Sequence, residues 1–350
     1  MSSPTPNQEP FRITLADLEA VDVTAAQPPL PAASDAPRSY GTIAASPADP
    51  TAQSEKGSLF LQGWFYLGAA GLMGAFLAWA ICEPAFDDGI QRWGNTWIVP
   101  LCITMMCIGY AIAESVVERS MRKALLRGAL AIPLGIVLGF VFYSVANIIY
   151  AVGMGICQAL GVTSFRNPVA WLARGIAWAI FGAAGGAVYG IVGQSLKKAQ
   201  YGVIGGMAGA CLGGILFDPI TIMTGGAEAS RAIGFALVGG ATGVAMGLVE
   251  SLLKDRWLYV TAGPLAGKQF ILYKNGTTVG SAQQSDIYLF KDSNILPQHA
   301  LVEISGSRVQ LRALGPVFIA GNSVSTRTLH DADLIQIGRY TFRYREKQRP

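Results

Sequence analysis

A bundle of six apolar helices followed by an all-β domain is the fold class this sequence predicts, and three observations predict it. Mean hydropathy is +0.39 and only 14% of the residues are charged, where soluble domains carry about a quarter. Six segments, Leu59–Cys82, Trp97–Ala113, Ala124–Ile149, Val169–Val192, Tyr201–Phe217 and Ala232–Val249, are nearly free of charge. Their lengths suit the ~30 Å hydrocarbon core of a bilayer. After Lys254-Asp255-Arg256 the pattern changes to short runs such as QFILY, DIYLF, ALVEI and RVQLRAL, which alternate apolar and polar residues between Gly, Asn, Asp and Ser clusters. That period of two over a stretch of about ninety residues reads as a sandwich or barrel.

Taken in order, residues 1–57 are rich in Pro, Ala, Ser and Thr and carry seven acidic side chains against Arg12, Arg38 and Lys56. Such a composition cannot bury enough apolar surface to offset chain entropy, so a disordered acidic tail is expected. No basic n-region precedes an apolar h-region, which excludes a cleavable signal peptide. One stretch, Phe11–Val23, has apolar spacing suited to docking on a partner.

Residues 58–253 form the predicted six-helix transmembrane region. The exits of the second, fourth and sixth segments carry Arg119, Arg122 and Lys123, then Lys197 and Lys198, then Lys254 and Arg256. The opposite loops are poorer: Arg92 stands against Glu83, Asp87 and Asp88, Arg166 stands alone, and Arg231 is balanced by Asp218 and Glu228. The positive-inside rule then places both termini and the β domain in the cytoplasm, on a cytoplasmic (inner) membrane. Arg174 and Arg231 fall at the outer ends, where snorkelling to water is expected.

An internal repeat runs through the later helices, in which a basic residue leads glycines at offsets of eight, twelve and sixteen. Arg174 leads Gly182, Gly186 and Gly190; Lys197 leads Gly205, Gly209 and Gly213; Arg231 leads Gly239, Gly243 and Gly247. Arg127 leads only Gly135 and Gly139. Four-residue spacing holds the glycines on one helical face, so the repeat predicts close backbone packing. The alternative is that these faces line a transport route. The scarcity of ionisable groups at mid-membrane depth argues against it; at Asp218-Pro219 proline frees backbone carbonyls near a carboxylate, and the end of a helix explains that pair as well.

Catalysis finds no constellation. His299 and His330 lack metal-spaced partners, so no metal is expected. Cys82, Cys102, Cys107, Cys157 and Cys211 lie in or beside apolar segments without a C-x-x-C pair and read as reduced packing residues. No phosphate-cradling glycine motif stands in a soluble context, so no cofactor is expected and the chain reads as a non-enzyme.

The ordered motifs GPLAGKQFIL, VGSAQQSDIYLF, ILPQHALVEI and LHDADLIQIGRYTFRY across residues 256–345 resemble a forkhead-associated (FHA) domain. The whole chain resembles bacterial multi-pass membrane proteins with a C-terminal degenerate FHA domain. The resemblance implies a β-sandwich that binds a protein or peptide partner. It also implies loops that grip phosphothreonine, and here those positions are changed. Ser281 stands where the family has its phosphate-gripping arginine, Leu296 where it has a serine, and Gly315 and Ala320 where it has asparagines. Ser281, Gln284, Ser285, Leu296, Gln298, Gly315 and Asn322 are therefore candidates to hydrogen-bond or line an unphosphorylated peptide. Gly280, His299, Asp331, Asp333 and Gly338 fit the family's structural positions.

Arginine's bidentate fork is what separates phosphate from a neutral acceptor, so its loss predicts a scaffold that no longer reads phosphothreonine in the standard way. A transporter or channel subunit with the β domain as regulatory sensor, and an atypical phosphothreonine reader, are the alternatives. The region from Arg256 to the basic tail 346–350 holds twelve basic against six acidic residues. That balance suits contact with anionic lipid, and without an aromatic-basic platform nucleic acid is not an expected partner.

Overall fold

A computed structural model describes residues 59–347 except 163, 165, 225 and 226. The expectations for residues 1–57, including the Phe11–Val23 patch, and for residues 348–350 of the basic tail lie outside the described residues. Among the described residues, six helices are long and apolar enough to cross a membrane by length and composition. They are α1 (Gly63–Cys82), α2 (Trp93–Val117), α3 (Met121–Ala159), α4 (Pro168–Val192), α5 (Leu196–Thr224) and α6 (Ala227–Leu253).

Several helices outrun their apolar cores, because polar residues at the ends continue the backbone ladder where side-chain hydropathy has already fallen. The largest correction is at Asp218-Pro219, where α5 does not end: Pro219 lies inside the helix, which continues to Thr224. Proline forfeits one intrahelical hydrogen bond but does not oblige the helix to stop. Arg174 and Arg231 depart from expectation as well. Instead of reaching for water, each makes an ion pair with its side chain only 17% and 16% exposed.

The helices pack as a closed ring, each against its neighbours in chain order and α6 back against α1. Each glycine stripe faces one particular neighbour. A Cβ built on Gly182 or Gly186 would lie within 2.3 Å of the backbone of Gly206 or Gly202, so α4 meets α5 by bare main chain. The Gly205, Gly209 and Gly213 face of α5 meets α6 at Met246, Thr242 and Val238, and the Gly239, Gly243 and Gly247 face of α6 meets α1 at Gly71, Leu67 and Trp64. Side chains would force those axes apart, and glycine converts the lost bulk into dispersion contacts along the whole helix.

Inside the ring stands Tyr110 of α2, fully buried, its hydroxyl donating to the Gly239 carbonyl of α6 at 3.0 Å. Its ring also abuts Gly71 of α1 and Gly185 of α4. One side chain thereby touches three facing helices and fills the middle of the ring.

After α6 the chain enters two sheets, ordered β2-β1-β11-β10-β7-β8 and β4-β3-β5-β6-β9. The strands that set the architecture are β1 (Arg256–Ala262), β2 (Gln269–Ile271), β3 (Gly276–Gly280), β4 (Ile287–Tyr288), β5 (Ala300–Ser305) and β6 (Arg308–Ala313). They continue with β7 (Val317–Ile319), β8 (Asn322–Ser323), β9 (Thr326–Thr328), β10 (Leu334–Ile337) and β11 (Tyr340–Glu346). The alternation read from sequence is realised in burial: Tyr340, Phe342 and Tyr344 of β11 point inward at 0–1% exposure, while the residues between them are half-buried. The first and last strands pair antiparallel, so both ends of the sandwich meet beside the helices, where the Lys347 amide donates to the Asp255 carbonyl at 2.8 Å.

Candidate functional site

The loops that resemble the family's recognition edge gather at one corner of the sandwich, and His299 ties them together. This buried imidazole accepts the Leu296 amide on Nδ1 at 3.1 Å, so Nε2 carries the proton and donates to the Pro316 carbonyl at 2.9 Å. The loops before β5 and before β7 are thus joined through one ring. Gly315 makes this possible, since a Cβ there would stand 2.6 Å from His299. Gly280 likewise admits the Pro297 carbonyl, which a Cβ would meet at 2.1 Å.

Two predicted donors are spent inside the corner. Ser281 Oγ donates to the Ile295 carbonyl at 2.7 Å and Ser285 Oγ, 3% exposed as a residue, to the Pro297 carbonyl at 3.0 Å. What faces outward is Gln284, Leu296, Pro297, Gln298 and Asn322, with Gly315 half-buried. No lysine or arginine occurs in residues 281–286, 296–298 or 313–323. The closing turn is held by carboxylates: Asp333 accepts the His330 amide at 2.8 Å and Asp331 the Glu346 amide at 3.0 Å. Gly338 has the left-handed φ of +54° that its turn requires.

The loop 281–286 has a second neighbour that the sequence does not announce. The turn between α2 and α3 lies against it: Ser120 Oγ donates to the Gln283 carbonyl at 3.4 Å, Lys123 Nζ to the Asp286 carbonyl at 3.1 Å, and the Arg119 guanidinium lies 5.7 Å from the Phe290 ring centroid. Burial opposes ionisation of Asp286. The Thr278 amide and hydroxyl and the Lys274 ammonium outweigh it and hold the carboxyl below the usual carboxylate range.

Deeper in the same contact lies a cluster of charges. Lys268, on the turn before β2, pairs with Glu118 at 2.7 Å, and both side chains are 2% exposed. Glu118 is also 3.6 Å from Lys123, and Glu114 holds Lys198 at 2.7 Å and Arg127 at 3.0 Å. Glu250, near the end of α6, accepts from Tyr189 of α4 at 3.4 Å and from Tyr273 of the β domain. Burial first, then the Glu250 charge, pushes the Tyr273 hydroxyl well above its ordinary value. Five helices and two segments of the sandwich therefore share one polar cluster. The spacing of these ions along the chain carries no signal of the assembly; Glu114, Glu118 and Glu250 lie just beyond the apolar segments read from the sequence.

At the opposite end of the bundle an open pocket of about 580 Å³ is lined by Trp79, Glu83, Phe86, Asp88, Glu228 and Arg231 among others. Arg231 bridges Glu83 and Asp88 with its guanidinium 4.1 Å from the Phe86 ring centroid.

No family model and no curated protein matches this chain. Among solved structures, the β domain is similar to the FHA domain of the CT664 protein from Chlamydia trachomatis, at 27% identity over 27% of this chain and all of that one, with a TM-score of 0.26. It is similar to the N-terminal FHA domain of Saccharomyces cerevisiae Rad53p in complex with a phosphothreonine peptide, at 14% identity, 27% and 94% coverage and a TM-score of 0.25. A third similar structure is the cytoplasmic domain of the type III secretion sorting-platform protein PscD from P. aeruginosa, at 22% identity, 27% and 83% coverage and a TM-score of 0.25.

Proposed function

We propose that this chain is a membrane-anchored, non-enzymatic interaction protein whose FHA-like domain, on the cytoplasmic side with both termini, recruits a protein partner without reading phosphothreonine in the standard way. The observation that carries this reading is the chemistry of the recognition corner. Residues 281–286, 296–298 and 313–323 of its loops hold no cation, and the hydroxyls of Ser281 and Ser285 are already committed to carbonyls. A dianionic phosphate there would lose water and gain no charge-assisted bond, which disfavours it against a neutral peptide. Gln284, Gln298 and Asn322 offer amides, and Leu296 an exposed apolar contact, for such a peptide.

The glycine stripes support a packed anchor, and Tyr110 in the ring's centre favours an anchor over a conduit. The basic balance of the domain suits a supporting contact with anionic headgroups of the leaflet beneath which it sits. The test is calorimetry of the full chain in detergent against paired phosphorylated and unphosphorylated threonine peptide libraries. The two forms are expected to bind alike. A micromolar ligand whose affinity collapses on dephosphorylation overturns the reading.

A further inference from the structure

The contact between the sandwich and the helices is built unlike a tether. A flexible linker needs no buried ions, yet Lys268 places its ammonium at 2% exposure against a carboxylate equally sealed. An ammonium is desolvated at high cost, and the cost is recovered only where a fixed partner waits. Lys268 is itself fixed: its amide donates to the Leu265 carbonyl and its own carbonyl accepts the Val260 amide, so the turn before β2 aims the side chain. A second point of attachment lies across the cluster, where Tyr273 donates to Glu250. Without the domain, the ion-pair partner left to Glu118 among the described residues is the more distant Lys123, and Glu250 keeps the Tyr189 hydroxyl but loses that of Tyr273.

From this geometry we infer that the β domain is an intramolecular ligand of the helix bundle, locked by a Lys268–Glu118 latch that holds the 281–286 recognition loop against the α2–α3 turn. The consequence is linkage. A partner that takes the loop from the side occupied by Ser120 and Lys123 must open the latch, and a rearrangement of the helix ends that separates Glu118 from Lys268 frees the loop. Each event favours the other by the same factor, because both draw on one docking equilibrium. The recognition-corner residues that remain outward in the latched state are Gln284, Leu296, Pro297, Gln298 and Asn322. The linkage rests on the proposed partner-binding corner, whereas the latch itself does not.

The test uses the full chain in membranes, with its five natural cysteines replaced by alanine and a reporter pair, Ser120→Cys with Gln283→Cys, that forms a disulfide when the loop is docked. Efficient cross-linking is expected in this background. Lys268→Glu sets two carboxylates together and should lower the yield about tenfold, and adding Glu118→Lys should restore it. Where Lys268→Glu fails to elute as a folded species, Lys268→Gln replaces it, with a smaller loss expected. A reporter pair that does not cross-link, a yield indifferent to Lys268, or a charge swap that does not restore it each overturns the latch. Binding of any peptide is read separately, so failure of the interaction reading leaves these yields unchanged.

Discussion

The two ends of the helix bundle handle charge differently. At the end away from the sandwich, Arg231 bridges Glu83 and Asp88, and Arg174 holds Asp218 at 2.9 Å with Tyr150 at 3.2 Å. Every partner there belongs to the helices or their connecting turns, and the cations keep about a sixth of their exposure. At the end that carries the sandwich, the carboxylates outnumber what the helices answer closely, and Lys268 and Tyr273 complete the set. The far end is finished within the bundle. The near end is finished only by the docked domain.

Removing one cation at each end separates these roles. Arg231→Met should leave Glu83 half-buried beside Phe86 and lower the stability of the bundle by about 2 kcal/mol, less than the roughly 3–5 kcal/mol of a fully sealed pair. Thermal unfolding in detergent reads it. The same variant should leave the Ser120–Gln283 cross-link untouched, since no far-end partner lies in the β domain. A loss of docking on Arg231→Met would show that the two ends are one system and dissolve the contrast.

Much of the architecture is legible in the sequence. Six segments, the glycine offsets and the strand alternation depend on local pattern, and local pattern is what sequence displays. The glycine offsets named Gly186, and the structure adds which neighbour each stripe meets. What stayed hidden depends on assembly. Lys268 reads as an ordinary solvated lysine between a turn and a strand, and Glu118 as a helix-end carboxylate, because at a separation of 150 positions the sequence carries no signal of their meeting. Ser281 and Ser285 read as free donors for a related reason: a hydroxyl's partner is a backbone carbonyl, and every residue has one. Asp218-Pro219 read as a stop because proline weakens a helix, while the Arg174 pair that accompanies the continuing helix lies 44 residues away.

Between the ends, packing and not charge holds the ring, and this sharpens the contrast. Gly186→Leu would drive a side chain into the Gly202 backbone, at a cost of about 1–3 kcal/mol as in overpacked interiors. Gly155→Leu on α3 meets nothing within 4 Å and should unfold like wild type. Equal melting temperatures for both variants would mean that the stripes reflect composition alone.

The smallest expected effect concerns two adjacent lysines at the domain end, and it tests whether position near the latch is enough to matter. Lys198 is sealed, its side chain 5% exposed, 2.7 Å from Glu114 and 4.2 Å from the Tyr189 ring centroid. Lys197, one residue earlier, turns outward to Asp255 at 3.3 Å with side-chain exposures of 56% and 36%. Water screens that second pair, and two long side chains lose rotamer freedom in forming it, so its net worth lies below about 0.5 kcal/mol. Lys197→Ala should therefore leave both the melting temperature and the reporter cross-link at wild-type values, although Asp255 adjoins the sandwich. Lys198→Ala should lower the melting temperature measurably, with Arg127 left alone to answer Glu114. If Lys197→Ala instead weakens docking as much as Lys268→Gln, attachment is spread over the whole polar rim, and the sealed pair has no special part in it.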